Sequence, residues 1–138
     1  RVLFRSGTSF LRLPTYLAQM DRLKLFQKSI EHTLTTHFPG KLQLNGNTLN
    51  RVPHIINITL MDVDWENMFR VMPKIAVSNG SACNARKHMA SHVLMALGHR
   101  EANALSTLRI SLSHLTTEDD IRFLEEYLVE KIGLLYSA

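Results

Sequence analysis

The stretch His54-Ile55-Ile56-Asn57-Ile58-Thr59-Leu60-Met61 alternates, with Ile56, Ile58 and Leu60 on one side and Ile55, Asn57 and Thr59 on the other. A period of two marks a β-strand with one face toward a core. Thr107-Leu108-Arg109-Ile110-Ser111 repeats the pattern, setting Leu108, Ile110 and Leu112 opposite Thr107, Arg109 and Ser111. Strands of this kind need an apolar cover, and the chain offers helices to supply it.

From Leu13 to Phe38 the apolar positions Leu13, Leu17, Met20, Leu23, Phe26, Ile30, Leu34 and Phe38 recur every three or four residues. That spacing predicts a long amphipathic helix, with Pro14 tolerated in its first turn and Pro39-Gly40 ending it. Lys41 to Leu44 is expected as a short strand closed by the turn formers Asn45-Gly46-Asn47. Asp64 to Met72 reads as a short helix stopped before Pro73, and Ile75 to Val77 as an apolar strand broken by Ser78-Asn79-Gly80-Ser81. Ser91 suits the N-cap of a helix through Leu97, which Gly98 terminates. Thr116 or Thr117 caps a last helix. Glu118, Asp119 and Asp120 complement its positive end, and Ile121, Leu124, Leu128, Ile132 and Leu135 form its buried stripe. The expected fold is α+β: one domain over residues 1–138, a small sheet covered by helices.

Composition narrows the function classes. The chain has 138 residues, 45% hydrophobic and 20% charged, which suits a globular domain with a core rather than a disordered chain. No apolar run reaches the length of about 18 residues that a membrane-spanning helix needs. A net charge of +4 permits an acidic partner without pointing to nucleic acid. Arg12, Arg22, Lys24 and Lys28 are expected to form a solvated helix face, with no interleaved aromatics for base stacking. The single cysteine excludes an internal disulfide and suits a reducing compartment. The first residue is Arg1 and no signal-peptide pattern follows, so the chain is expected to be a fragment or a processed product.

Four groups of residues could carry chemistry. Cys83 sits in the polar connection Ser78-Asn79-Gly80-Ser81-Ala82-Cys83-Asn84, with Arg86, Lys87 and His88 close behind. Nearby positive charge favours the thiolate, the reactive form; the alternative is a buried, inert thiol. Arg109, on the polar face of its strand, could grip a carboxylate through two parallel hydrogen bonds, or simply be exposed or ion-paired. Arg5-Ser6-Gly7-Thr8 could present amides and hydroxyls to a phosphate, or be only a turn. Cys83, His88 and His92 have metal-like spacing but no evident fourth ligand, so no metal is expected.

Taken in order, several motifs resemble the C-terminal region of cysteine desulfurases of the iron–sulfur-cluster type, which share the class V aminotransferase fold. They are Arg5-Ser6-Gly7-Thr8, Arg51-Val52-Pro53-His54-Ile55-Ile56-Asn57-Ile58, Ala76-Val77-Ser78-Asn79-Gly80-Ser81-Ala82-Cys83, Ser91-His92-Val93-Leu94, Ala96-Leu97-Gly98, Leu108-Arg109-Ile110-Ser111-Leu112 and Thr116-Thr117-Glu118. The resemblance covers essentially the whole chain. It implies the small C-terminal domain of a fold-type I, pyridoxal-phosphate-dependent homodimer that takes sulfur from L-cysteine and passes it to an acceptor protein. By the same resemblance Cys83 is the persulfide-forming nucleophile, Arg109 binds the substrate carboxylate, and Thr8 reaches the cofactor phosphate of the partner subunit. The implied setting is the cytoplasm, or the mitochondrial matrix of a eukaryote.

The chain also departs from that pattern. No lysine of this sequence matches the one that holds the cofactor, so the isolated chain is expected to be inactive and to belong to a larger enzyme. Asn79 replaces the usual Ser or Gly, Ser113-His114 stands where Gly-Arg is common, and Asn84-Ala85-Arg86-Lys87-His88-Met89-Ala90 is more basic than the family's loop. A non-enzymatic sulfur relay through Cys83, or a degenerate relative without activity, is the competing expectation.

Overall fold

In the computed structural model, which describes residues 13–47, 50–72 and 91–137, the two alternating segments pair as neighbouring strands, β2 (Ile55–Leu60) and β3 (Thr107–Ser111). A short β1 (Leu42–Leu44) adds on the far side of β2, giving an antiparallel sheet in the order β1-β2-β3. The register sets Leu42 opposite Leu60, Ile56 opposite Ile110 and Ile58 opposite Leu108. Because side chains alternate across a strand, this register gathers the branched residues onto one face.

Two long helices cover that face, α1 (Leu13–His37) and α5 (Glu118–Tyr136). Leu23, Ile30 and Leu34 of α1 and Leu128 and Ile132 of α5 are essentially fully buried, with Ile56, Ile58, Leu60 and Leu108 of the sheet. Burying each such side chain is worth about 1.5–3 kcal/mol. Met68 and Met72 join this core from and just after α2 (Trp65–Val71). The expected α1 stripe runs one turn too far: Leu17 is 54% exposed, ahead of the point where the helix meets the sheet. On α5, Tyr127 joins the expected stripe, its ring stacked on Phe123 at 5.8 Å.

Polar contacts settle details that periodicity left open. Thr117 caps α5 through a capping box: its hydroxyl accepts from the Asp120 amide at 3.2 Å, and the Asp120 carboxylate accepts from the Thr117 amide at 2.8 Å. Hydrogen bonds from Thr117 hold the Asp120 carboxyl below its ordinary range. Thr116 instead closes the preceding turn, accepting from the Ser113 amide. Arg22, expected on a solvated face, donates to the His114 carbonyl at 2.7 Å and lies over the Phe26 ring, tying α1 to the turn before α5. Lys24 and Lys28 are exposed as expected, while Arg12 lies outside the described residues.

Two unexpected features complete the architecture. Glu101–Leu105 forms a further short helix, α4, just before β3; only five residues long, it shows no legible period. Within α1, Gln27 and Glu31 are buried. Gln27 donates to the Ile55 carbonyl at 2.9 Å, and Glu31 accepts from Arg51 at 2.6 Å, anchoring the segment that leads into β2. Burial pushes the Glu31 carboxyl up, against the opposing pull of the Arg51 charge and hydrogen bond. The strand expected at Ile75–Val77 lies outside the described residues. No described helix is long and apolar enough to cross a membrane.

The far end of α5 is pinned by Tyr136, whose hydroxyl meets the carbonyls of Lys41 (2.7 Å) and Met61 (2.9 Å) while Lys41 sits over its ring. Burial and the nearby Asp62 charge push the phenol up to about 12. A raised folded-state value favours the neutral phenol, so its stabilising contribution is complete below about pH 10 and lost as pH rises toward 12. Tyr136→Phe is therefore expected to be less stable than the wild type at neutral pH. Denaturant melts should show that gap narrowing between pH 10 and 12.

Candidate functional site

The sheet face away from α1 and α5 carries polar residues in ordered rows. Pairing sets Gln43, Thr59 and Thr107 in one row across β1, β2 and β3, and Asn57 beside Arg109 in the next. Asn45, one residue past β1, extends that second row, its amide donating to the Asn57 carbonyl at 2.9 Å. Gly46 follows with a φ of 89°, which a residue with a Cβ rarely adopts, so the chain turns away here and leaves the Asn45 side chain over the sheet.

A hydrogen-bond chain links these rows. Thr107 Oγ1 donates to the Asn103 carbonyl of α4 at 3.1 Å and lies 2.7 Å from Thr59 Oγ1. Asn45 Nδ2 donates to Thr59 Oγ1 at 2.8 Å and to Asn57 Oδ1 at 2.7 Å. Thr59 and Thr107 are fully buried, although β2 was expected to be only half-buried; α4 closes this end of the polar face. Buried hydroxyls are costly unless bonded, and here each is.

Among the described residues, the other end of the face stays open. A cavity of about 270 Å³ is floored by Asn45, Asn57 and Arg109 and walled by Ser91, Leu94 and Leu97. The helix that walls it, α3 (His92–Ala96), follows Ser91 and is ended by Gly98, as expected. Arg109 is half-buried, and among the described residues its guanidinium has no hydrogen-bond or ion-pair partner. A cation held on a strand, with amides beside it and an apolar wall above, is suited to a small anion carrying a short side chain. The guanidinium could hold a carboxylate by two parallel hydrogen bonds.

Of the candidates read from sequence, Arg109 lies in this cavity. Cys83 and Thr8 lie outside the described residues; Cys83 precedes Ser91 of the cavity wall by eight residues. His92 is exposed on α3, and no group of three or more His, Cys, Asp or Glu that could hold a metal occurs among the described residues. Asn45, Asn57 and Thr59 were not singled out as site residues. The signal for Asn57 and Thr59 was polar side chains at alternate positions of an otherwise apolar strand, which becomes specific only once cross-strand pairing places Asn57 beside Arg109, whereas Asn45 read only as a turn former.

Comparison with known proteins gives this geometry a context. The aminotransferase class-V family model matches residues 18–124. Cysteine desulfurase IscS of Neisseria meningitidis (serogroup A) is 37% identical over 146 aligned positions, covering 96% of this chain and 35% of the relative. Cysteine desulfurase IscS of Pectobacterium atrosepticum is 34% identical, covering 86% of this chain and 29% of the relative. Among solved structures, a NifS-like protein from Rickettsia africae superposes with a TM-score of 0.70 at 28% identity, covering 93% of this chain and 32% of that one. Another NifS-like protein, 16% identical with a TM-score of 0.71, shares the fold. The chain thus spans about a third of the length of these relatives, and the α+β expectation and the resemblance to cysteine desulfurases both hold.

The hydrogen-bond chain can be tested without reference to function. Thr59→Val keeps shape but strands an Asn45 donor. The expected loss is about 1–3 kcal/mol of stability, read from the denaturant midpoint.

Proposed function

Because the chain belongs to the aminotransferase class-V family, we propose that it forms the part of a pyridoxal-phosphate-dependent cysteine desulfurase that holds the substrate carboxylate and supplies the sulfur-accepting thiol. The observation that carries this reading is the Arg109 guanidinium, without a partner among the described residues, lining a cavity beside an amide and opposite an apolar wall. A free cation at such a place is costly to desolvate unless a ligand completes it. The α-carboxylate of an amino acid does so with two parallel hydrogen bonds.

The same cavity bears on the cofactor. Its described lining offers donors that fit a carboxylate and no lysine for the cofactor's aldehyde. Thr8 is assigned to the cofactor phosphate of the partner subunit in a homodimer. Pyridoxal phosphate, when bound, supplies the electron sink that weakens the substrate's carbon–sulfur bond.

This chain's own residues then do two things. Arg109 fixes the carboxylate, and with it the direction in which the substrate sulfur points. Cys83 attacks that sulfur as a thiolate; a sulfur–sulfur bond forms, the carbon–sulfur bond breaks, and the carbon takes a proton to leave as alanine. The basic residues Arg86, Lys87 and His88 favour the thiolate. The resulting persulfide passes its outer sulfur to an acceptor protein in the cytoplasm, or in the mitochondrial matrix of a eukaryote.

In the full-length protein, Cys83→Ser is expected to retain pyridoxal phosphate, seen by its absorbance, and to release no sulfide from L-cysteine. Full activity in that variant would remove Cys83 from the reaction. Arg109→Ala should raise KM for L-cysteine by an amount equivalent to about 2 kcal/mol or more. An unchanged KM would mean that another group holds the carboxylate.

A further inference from the structure

The hydrogen-bond chain on the polar face has a direction, and the direction can be deduced. A carbonyl only accepts, so the bond from Thr107 Oγ1 to the Asn103 carbonyl uses the one hydrogen of the Thr107 hydroxyl. The 2.7 Å contact between Thr107 and Thr59 is therefore donated by Thr59. With its hydrogen committed, Thr59 Oγ1 must accept at 2.8 Å from Asn45, which fixes the amino end of the Asn45 amide toward it. The second Asn45 hydrogen points to Asn57 at 2.7 Å, where only an oxygen can receive it. Asn57 is thereby held with its oxygen toward Asn45 and its amino group at the other end.

That orientation matters because Asn57 stands directly opposite Arg109 in the register and both line the same cavity. Directly paired side chains have Cβ atoms about 5 Å apart, within reach of one ligand group. With the oxygen turned the other way, Asn57 would present an acceptor on the side of its register partner Arg109, able to quench the guanidinium. As held, Asn57 presents N–H groups, which cannot pair with a guanidinium, and among the described residues neither Asn57 Nδ2 nor Arg109 has a partner. The floor of the cavity thus offers donors from two adjacent side chains, which a carboxylate, with two acceptor oxygens, can use together.

We infer that Asn57 is a second substrate-binding residue, donating its side-chain N–H to the carboxylate that Arg109 grips, with Asn45, Thr59 and Thr107 as the positioning residues that keep its donors facing the ligand. This rests on the reading of Arg109 as the carboxylate clamp.

The test uses the full-length protein with its cofactor and calorimetric binding of L-alanine, compared with ethylamine, the same molecule without the carboxylate. Asn57→Ala should weaken L-alanine about tenfold and leave ethylamine unchanged. In an Arg109→Ala background, Asn57→Ala should still weaken L-alanine, as a direct contact requires. Asn57→Asp keeps the oxygen that Asn45 needs but replaces the donors with a charge, and should weaken L-alanine further than Asn57→Ala. Equal weakening of both ligands, a cost that vanishes in the Arg109→Ala background, or retained L-alanine binding in Asn57→Asp would each overturn the role of Asn57. Arg109→Ala alone reports on the clamp: L-alanine affinity unchanged in that variant removes the premise itself, whereas affinity lost there but kept in Asn57→Ala removes only the inference.

Discussion

The structure depends on the register of β2. This one strand shows Ile56, Ile58 and Leu60 to the two long helices and Asn57 and Thr59 to the other side. A slip of one residue against β3 would turn branched hydrocarbon toward the polar cavity and bury amides against Leu128 and Ile132. Each misplaced amide would cost several kcal/mol, so the alternation admits one pairing. That pairing sets Asn57 opposite Arg109 and Thr59 opposite Thr107. The hydrophobic effect on one face therefore determines the arrangement of polar groups on the other.

Register alone would leave β2 free to tilt at its entry, and buried polar residues of α1 prevent this. Gln27 holds the Ile55 carbonyl, and Glu31 holds Arg51 four residues before the strand. Glu31 and Arg51 form a mostly buried ion pair whose desolvation works against its attraction, as the raised Glu31 carboxyl records. An apolar pair could pack here without that penalty. What the ion pair supplies is direction: a guanidinium meeting a carboxylate at 2.6 Å fixes where the incoming chain lies on the helix. At the other end of the sheet, Tyr136 performs the same task, joining α5 to Lys41 and Met61 beside the ends of β1 and β2.

Much of this was legible in the sequence, and what was not has physical causes. The two long helices, β2 and β3 announce themselves by period, since each buries one face against the same core, and β1 by the turn formers that close it. The α5 cap was ambiguous between adjacent threonines because both are good N-caps; only the Asp120 capping box assigns it to Thr117. The α1 stripe over-reached at Leu17 because helical spacing continues beyond the end of the surface it packs on. Five-residue α4 has too few turns to show a stripe, and its role is to close the polar face over Thr107. Arg109 was legible as a candidate from its place on a strand. Its neighbours Asn45 and Asn57 were not, because they are brought to it by pairing between segments far apart in the chain.

Why the proposed carboxylate site should sit on a sheet rather than on a loop follows from the geometry of its donors. A bidentate hydrogen bond loses strength steeply with misalignment, so the guanidinium must be held by something stiffer than its own flexible stem. On β3 the Arg109 backbone is locked by the ladder to β2, and Leu108 and Ile110 on either side are buried in the core. The neighbouring amide is oriented by a relay that ends on a helix carbonyl, so no member can rotate without stranding a buried partner.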